Sequence, residues 1–258
     1  MTISPELQAA LDAAEQAASI ARSLYQRNIA VHLKADKSPV TEADVRCETA
    51  IREILSARFP DYGFLGEETG SSGLDADALW LVDPIDGTKA FVREYPMFST
   101  QIALMRRGEI VLGVSCAPVY GELAYAERGR GAVLNGRAVE VSTIGDLESA
   151  ALSSGNLKTL ASGGAWYRYG TLVAGVGRIR GYGDFLHYHL LAAGKIDAVI
   201  ESDVNILDIA ACCAIVTEAG GLFTDLDGAP VTLRTTSVLA TNGRLHAPVL
   251  AALREEAA

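Results

Sequence analysis

The chain has 258 residues, 49% of them hydrophobic and 21% charged, enough for one large domain or two closely packed lobes with a substantial core. A formal net charge of −10 argues against nucleic acid as the main partner, because phosphate-backbone binding needs clustered Lys and Arg; the dense basic spots, Arg106-Arg107 and Arg128/Arg130, read as solvated loops. No CxxC pair joins the cysteines Cys47, Cys116, Cys212 and Cys213, which speaks against a zinc site or a disulfide framework and for small core residues in a reducing compartment.

The opening MTISPELQAA lacks a basic stretch before an apolar core, so it does not read as a signal peptide. No run approaches ~18 uninterrupted apolar residues, so no membrane span and no membrane partner are expected, and the protein is expected in the cytoplasm. Ser4-Pro5 is a helix start, a capping residue followed by proline at the first helical position. Leu7, Leu11, Ala14, Ala18, Ala21 and Tyr25 then recur at helical spacing to about residue 28. The polar stretch Lys34 to Pro39 breaks the pattern, and its Lys37 reads as a solvated loop lysine. Thr41-Glu-Ala-Asp44 opens a second helix with Ile51, Ile54 and Leu55 inward, ended by Pro60 and Gly63.

Gly66 to Asp77 is glycine-rich and polar, hence a loop. Strands are predicted at LWLV, QIALM and EIVLGVSCAPV, and AVLNGRAVEV is a hairpin around Asn135-Gly136. Residues 145 to 182 alternate short apolar runs with glycines. Beyond them a helix from Asp184 closes at Gly194, IDAVI is a strand, and a helix from Asp208 closes at Gly220-Gly221. LFTDLDG is a strand and turn, SVLAT a strand, and 245 to 255 a terminal helix. Two helices, a large mixed sheet, then alternating strands and helices predict a layered sheet-and-helix protein.

Asp83 closes the LWLV strand and Asp86 follows three residues later, with Pro84 fixing the backbone between them. Either acid alone reads more simply as a strand end or an Asp-Gly turn. Together with Glu67 and Glu68 at a strand-to-loop junction, they form a carboxylate set without His or Cys, which suits hard divalent cations, Mg²⁺ above all. If a helix or tight turn begins at Asp86, the amides of Gly87 and Thr88 offer an anion site, and the Thr88 hydroxyl can hold or deprotonate an attacking water. Metal-binding acids beside a phosphate cradle suggest metal-assisted phosphoryl chemistry. Simpler readings stand beside these: Thr41-x-x-Asp44 is also a capping box, and Asp208 an ordinary N-cap.

Gly66-Glu67-Glu68, Trp80-Leu-Val-Asp83-Pro-Ile-Asp86-Gly-Thr88, Asp208-Ile-Ala-Ala and Glu218-Ala-Gly-Gly221 resemble the inositol monophosphatase superfamily, Mg²⁺-dependent, lithium-sensitive phosphatases of sugar and polyol phosphates. The resemblance runs from the first helices to residue 228. It implies an α+β / α/β fold, a layered αβαβα sandwich of the inositol monophosphatase / fructose-1,6-bisphosphatase type. An N-terminal lobe, 1–142, would carry the metal site, and a C-terminal lobe, 143–258, would complete the active site. It implies Glu67, Asp83, the carbonyl of Ile85, Asp86 and Asp208 as ligands of two or three Mg²⁺. Gly87 and Thr88 would receive the phosphate. Asp44 and Thr88 would activate the water, with Glu67 also counted in the catalytic set and Glu68 a nearby acid. The partner would be a small phosphorylated metabolite, and the protein a homodimer.

Asp86-Gly-Thr-Lys-Ala-Phe-Val-Arg93 and Gly181-Tyr-Gly-Asp184-Phe-Leu resemble the histidinol-phosphatase branch. Histidinol carries an ammonium, and its imidazole is partly cationic near neutral pH. A pocket for it wants further acids, for which Asp184 and Glu201 are the candidates; their plainer readings are an N-cap and a solvated strand end. Inositol-1-monophosphatase or a broad sugar-phosphate phosphatase is the alternative. A nucleotide 3′-phosphatase fits less well, since Ala90 stands where that branch tends to have Glu. A non-catalytic member that binds the transcription machinery is a further alternative. His187 and His189, two apart on one helix, read as core or surface residues rather than metal ligands.

Overall fold

The computed structural model describes residues 3–27, 29–35 and 38–254; Lys37 and the expected end of the terminal helix at Glu255 lie outside them. The chain divides into two compact units, residues 1–128 with 207–214, and residues 129–206 with 215–258.

The first unit opens with helix α1 (Pro5–Leu24), where the Ser4 hydroxyl oxygen accepts the Leu7 amide at 3.0 Å and Pro5 occupies the first position. Its buried face is mostly alanine, a strong helix former that also lets elements pack closely. A hairpin of β1 (Val31–Leu33) and β2 (Pro39–Thr41) leads into α2 (Glu42–Arg58), which starts with the expected capping box of Thr41 and Asp44. Then follow β3 (Gly63–Gly66), β4 (Ser71–Ser72), β5 (Ala78–Asp86), the one-turn helix α3 (Thr88–Val92), β6 (Ser99–Arg106), β7 (Glu109–Ala117) and β8 (Glu122–Glu127). The strands lie side by side as β8-β7-β6-β5-β3-β4, antiparallel except for the β3–β5 pair. Leu7 and Ala14 of α1 and Ile51 and Leu55 of α2 bury against Trp80, Val82, Ile102, Leu104 and Val114 of the sheet, burial worth roughly 1.5–3 kcal/mol for each large side chain.

The second unit begins with the expected hairpin, β9 (Ala132–Leu134) and β10 (Arg137–Val139). Both turn residues, Asn135 and Gly136, have positive φ (49° and 75°), as a type I′ turn requires. Residues 145–182 fold into β11 (Ala151–Ser154), α4 (Lys158–Ser162), α5 (Ala165–Gly175) and β12 (Arg178–Arg180). Next come α6 (Asp184–Ala192), β13 (Ala198–Ser202), α7 (Ile206–Glu218), β14 (Leu222–Thr224), β15 (Ser237–Thr241) and α8 (His246–Arg254). The sheet order is β12-β11-β13-β15-β14, parallel across β12, β11 and β13 and antiparallel at β15. Leu152, Ile200 and Leu239 of this sheet form a core with Leu172 of α5 and Val249 and Leu253 of α8.

Several expectations need correction. Strands β3 and β8 and the β1–β2 hairpin were not expected. Strand β5 does not stop at Asp83 but runs to Asp86. The helix expected from Asp184 begins there as α6, but Gly183 rather than Asp184 holds its N-cap position, and α7 starts not at Asp208 but at Ile206, which puts Asp208 inside its first turn. Among the described residues no helix is long and apolar enough to cross a membrane.

Candidate metal centre

Along β5, Asp83 pairs with Gln101 and Asp86 with Ser99, so three steps on one strand match two on its neighbour. In a regular strand, residues three apart face opposite sides. The extra residue is a β-bulge, and Pro84, which has no N–H to lose from a ladder, sits in it. Asp83 and Asp86 thereby reach the same place, and Asp208 reaches it from α7. One carboxylate oxygen from each of the three lies within 4.8 Å of the others.

Asp83 is 2% exposed and accepts the Ile85 amide on Oδ1 at 3.0 Å. Burial, and then the charges of Glu67, Asp86 and Asp208, push its carboxyl well above the usual carboxylate range. Such a cluster is costly without a cation. Its donors are oxygens only, from short carboxylates on a fixed backbone, and that set fits Mg²⁺ or another hard divalent ion.

A buried polar chain braces the cluster. The Ser99 hydroxyl donates to Asp86 Oδ2 at 3.4 Å. Gln101 Nε2 donates to Ser99 Oγ at 2.8 Å and Ser115 Oγ at 3.0 Å, and its Oε1 accepts from the Cys212 thiol at 3.7 Å. Cys212 lies one turn after Asp208 on α7, so Gln101 ties that helix to β6. All four cysteines are free; three are buried and Cys213 is half-buried.

Glu67 follows directly on β3. It is outside the three-acid group, and its Oε1 lies 2.8 Å from Lys34 Nζ, which also bonds Glu68 Oε1 at 2.5 Å. Burial alone would lower the Lys34 pKa, but the two carboxylates overrule it and raise it. Burial raises the Glu68 carboxyl, with Lys34 opposing. Lys34 is the cation that holds these two acids here, and sequence reading missed it: a lone loop lysine carries no local signal.

Asp44 caps α2 with one carboxylate oxygen and meets Thr88 with the other. Its Oδ2 accepts the Thr41 amide at 2.8 Å and the Thr41 hydroxyl at 2.6 Å. Its Oδ1 lies 3.0 Å from Thr88 Oγ, which is also 3.1 Å from the carbonyl of Ile85. Burial raises the Asp44 carboxyl, with the bonds from Thr41 and Thr88 opposing. Thr88 heads α3 behind Gly87, whose φ of +90° and whose spacing, 2.6 Å from a would-be Cβ to the Met97 carbonyl oxygen, admit only glycine.

In the second unit Glu201, on β13, is 6% exposed, so the solvated strand-end reading fails. It accepts from the Tyr188 hydroxyl at 2.8 Å and the Asn156 amide at 3.1 Å, and His187 Nε2 lies 3.2 Å away. Burial alone would raise its pKa; His187, Tyr188 and the amide outweigh that and hold it below the usual range. With Asp184 it lines a cavity of about 270 Å³. Asp184 is exposed at the start of α6 with a φ of +46°. That backbone is costly for a non-glycine residue and is found at functional sites. His187 and His189 are both buried, hence core residues.

The model of the inositol monophosphatase family matches residues 3–258. The chain belongs to the inositol monophosphatase family. It is thereby a phosphatase, a hydrolase of phosphate esters. It is 39% identical to a histidinol-phosphatase of Mycobacterium tuberculosis, over 96% of this chain and 97% of that protein. It is 36% identical to an inositol-1-monophosphatase of Mesorhizobium japonicum, over 89% and 88%. The solved structure of the extragenic suppressor protein suhB from Bartonella henselae superposes with a TM-score of 0.90 at 33% identity, covering 98% of this chain and all of that one. The expected layered α+β family fold is therefore the observed one.

Proposed function

We propose that the protein is a Mg²⁺-dependent phosphate monoester hydrolase with histidinol phosphate as its substrate. The observation that carries the metal reading is the convergence of Asp83, Asp86 and Asp208 within 4.8 Å, with Asp83 too buried to stay charged alone. Glu67 and the Ile85 carbonyl complete the ligand set for two or three ions. Once bound, the ions would neutralise the phosphate dianion, lower the pKa of a coordinated water and stabilise the leaving alkoxide. The chain's own groups do the rest. Asp44 Oδ1 takes the Thr88 hydroxyl proton in a hydrogen bond, which turns a Thr88 lone pair toward the attacking water and gives its proton a route to a carboxylate. Burial makes Asp44 a stronger base than an exposed aspartate. Gly87 and Thr88 amides receive the phosphate at the head of α3.

Glu201, kept charged and buried beside Asp184, suits a leaving group that carries an ammonium. The histidinol-phosphatase relatives at 39% and 34% identity point the same way. Inositol-1-phosphate is the second reading, favoured by the relatives of that name; there Glu201 would accept a hydroxyl. Free cysteines throughout suit a reducing, cytoplasmic setting, and the family resemblance suggests a homodimer. The test is phosphate release from a panel of phosphorylated metabolites with and without Mg²⁺. Histidinol phosphate should give the highest kcat/KM, with no turnover in EDTA. Preference for inositol-1-phosphate by more than roughly tenfold rejects the histidinol assignment.

A further inference from the structure

The face of α2 that carries Asp44 continues over the next two turns as Glu48 and Arg52, spaced four residues apart. Glu48 is fully buried and takes no part in the chemistry above. Its Oε2 accepts the amide of Glu68 at 2.8 Å; its Oε1 accepts the amide and the hydroxyl of Thr69, each at 2.5 Å. These are charge-assisted bonds, about twice as strong as neutral ones. Gly66 makes the approach possible, because a Cβ there would sit 2.5 Å from Glu48 Cδ. One turn on, Arg52 donates to Thr69 Oγ at 2.9 Å and to the Gly70 carbonyl at 2.5 Å. Glu67 is the residue between these fixtures, with Gly66 against Glu48 on one side and the two bonded amides on the other.

We propose that Glu48 is a positioning residue for cation binding: through the Glu68 and Thr69 amides it fixes the peptide that carries Glu67, and it does so from the helix that carries Asp44. The inference rests on the proposed metal-dependent mechanism, in which Glu67 is a metal ligand. One helix then sets the distance between the acid that activates water and the acid that completes the metal site. A mere latch between α2 and the loop would affect stability and leave metal affinity alone.

Glu48→Gln keeps the shape but turns an N–H toward a backbone donor. Glu48→Asp keeps the charge but loses the reach to both amides. Titration with Mn²⁺ alone, followed by electron paramagnetic resonance, reads affinity without turnover. Both variants should bind Mn²⁺ roughly 10–100-fold more weakly than the parent protein, the usual cost of losing a ligand's outer support, and should recover much of their kcat at saturating metal. Thr69→Val, on the surface, removes the hydroxyl's two bonds, to Glu48 and from Arg52, while keeping the backbone amide bond, and should weaken Mn²⁺ a few-fold even if the Glu48 variants fail to fold. Parental affinity in Glu48→Gln, or in Thr69→Val should Glu48→Gln not fold, overturns the proposal. Parental affinity in Glu48→Asp also overturns it, because charge alone would then suffice. A parent protein that binds no Mn²⁺ overturns the metal-dependent reading of the site together with this one.

Discussion

In the proposed mechanism, single atoms of Thr88 decide the chemistry. Its hydroxyl has one proton and two acceptors in reach, Asp44 Oδ1 at 3.0 Å and the Ile85 carbonyl at 3.1 Å. Asp44 is the stronger acceptor because it is charged, and its other oxygen is already taken by Thr41. The proton therefore sits toward Asp44, and a lone pair of Thr88 is left for a water. The role needs a hydroxyl at that spot and nothing of the methyl group. Thr88→Ala should lower kcat by about 10²–10⁴-fold, the range for loss of positioned acid–base help. Thr88→Ser should stay within a small factor of the parent, and Mn²⁺ affinity should change little in either. Steady-state kinetics at saturating Mg²⁺ check this; an alanine variant with near-parental kcat would remove Thr88 from the proton path.

Among the elements, α7 brings Asp208 to the cluster, and β7 sets how close α7 comes. Gly113 of β7 has no side chain between it and the helix: a Cβ there would lie 2.6 Å from the Ala211 Cα, a backbone atom that cannot swing aside. Asp208 is one turn before Ala211. Gly113→Ala should therefore cost about 1–3 kcal/mol by overpacking and, by pushing α7 outward, weaken Mn²⁺ binding as well. Calorimetry and a metal titration test both halves, and unchanged affinity would mean the helix yields without moving Asp208. The sequence could reveal α1, α2 and α7 because their apolar spacing is a local property, as is the Asn135-Gly136 turn. It could reveal Asp83 and Asp86 as a pair because Pro84 sits between them. It hid β3, whose four residues are bounded by glycines, and it hid the bulge, which exists only relative to β6. Glu48, Gln101 and Lys34 were illegible for the same reason: apart from Ser99 beside Gln101, their partners named above lie 14 to 111 residues away, and nothing local marks a polar side chain that folding will bury.

At the scale of the whole molecule, the acid cluster ties stability to pH and, in the proposed mechanism, to metal as well. The raised pKa of Asp83 means that the folded chain holds a proton the unfolded chain releases. That stabilisation is fully present below the ordinary value of 3.8 and is lost as pH rises through the folded value. Other groups act in the opposite sense. Glu201 is held low, so its contribution is present above its ordinary 4.5 and fades as pH falls through its folded value. His246 is lowered by burial, so folding is penalised as pH drops below 6.5 and the unfolded chain takes up a proton first. A bare pH profile mixes all three, and a difference between two proteins separates them. Asp83→Asn keeps an oxygen for the Ile85 amide and removes only the charge. In EDTA at pH 8 it should be more stable than the parent by on the order of 1 kcal/mol or more, since each pKa unit is worth about 1.4 kcal/mol. The gap should close as pH approaches 4, while His246 and Glu201 contribute equally to both proteins and cancel. With Mg²⁺ the order should invert: the parent gains about 2.7 kcal/mol at a hundredfold excess over Kd, and the variant, with a ligand lost, gains far less. Scanning calorimetry of the two proteins in EDTA and in Mg²⁺ measures both signs. A parent more stable than Asp83→Asn in EDTA at pH 8 would mean that the cluster carries no electrostatic cost for a metal to relieve.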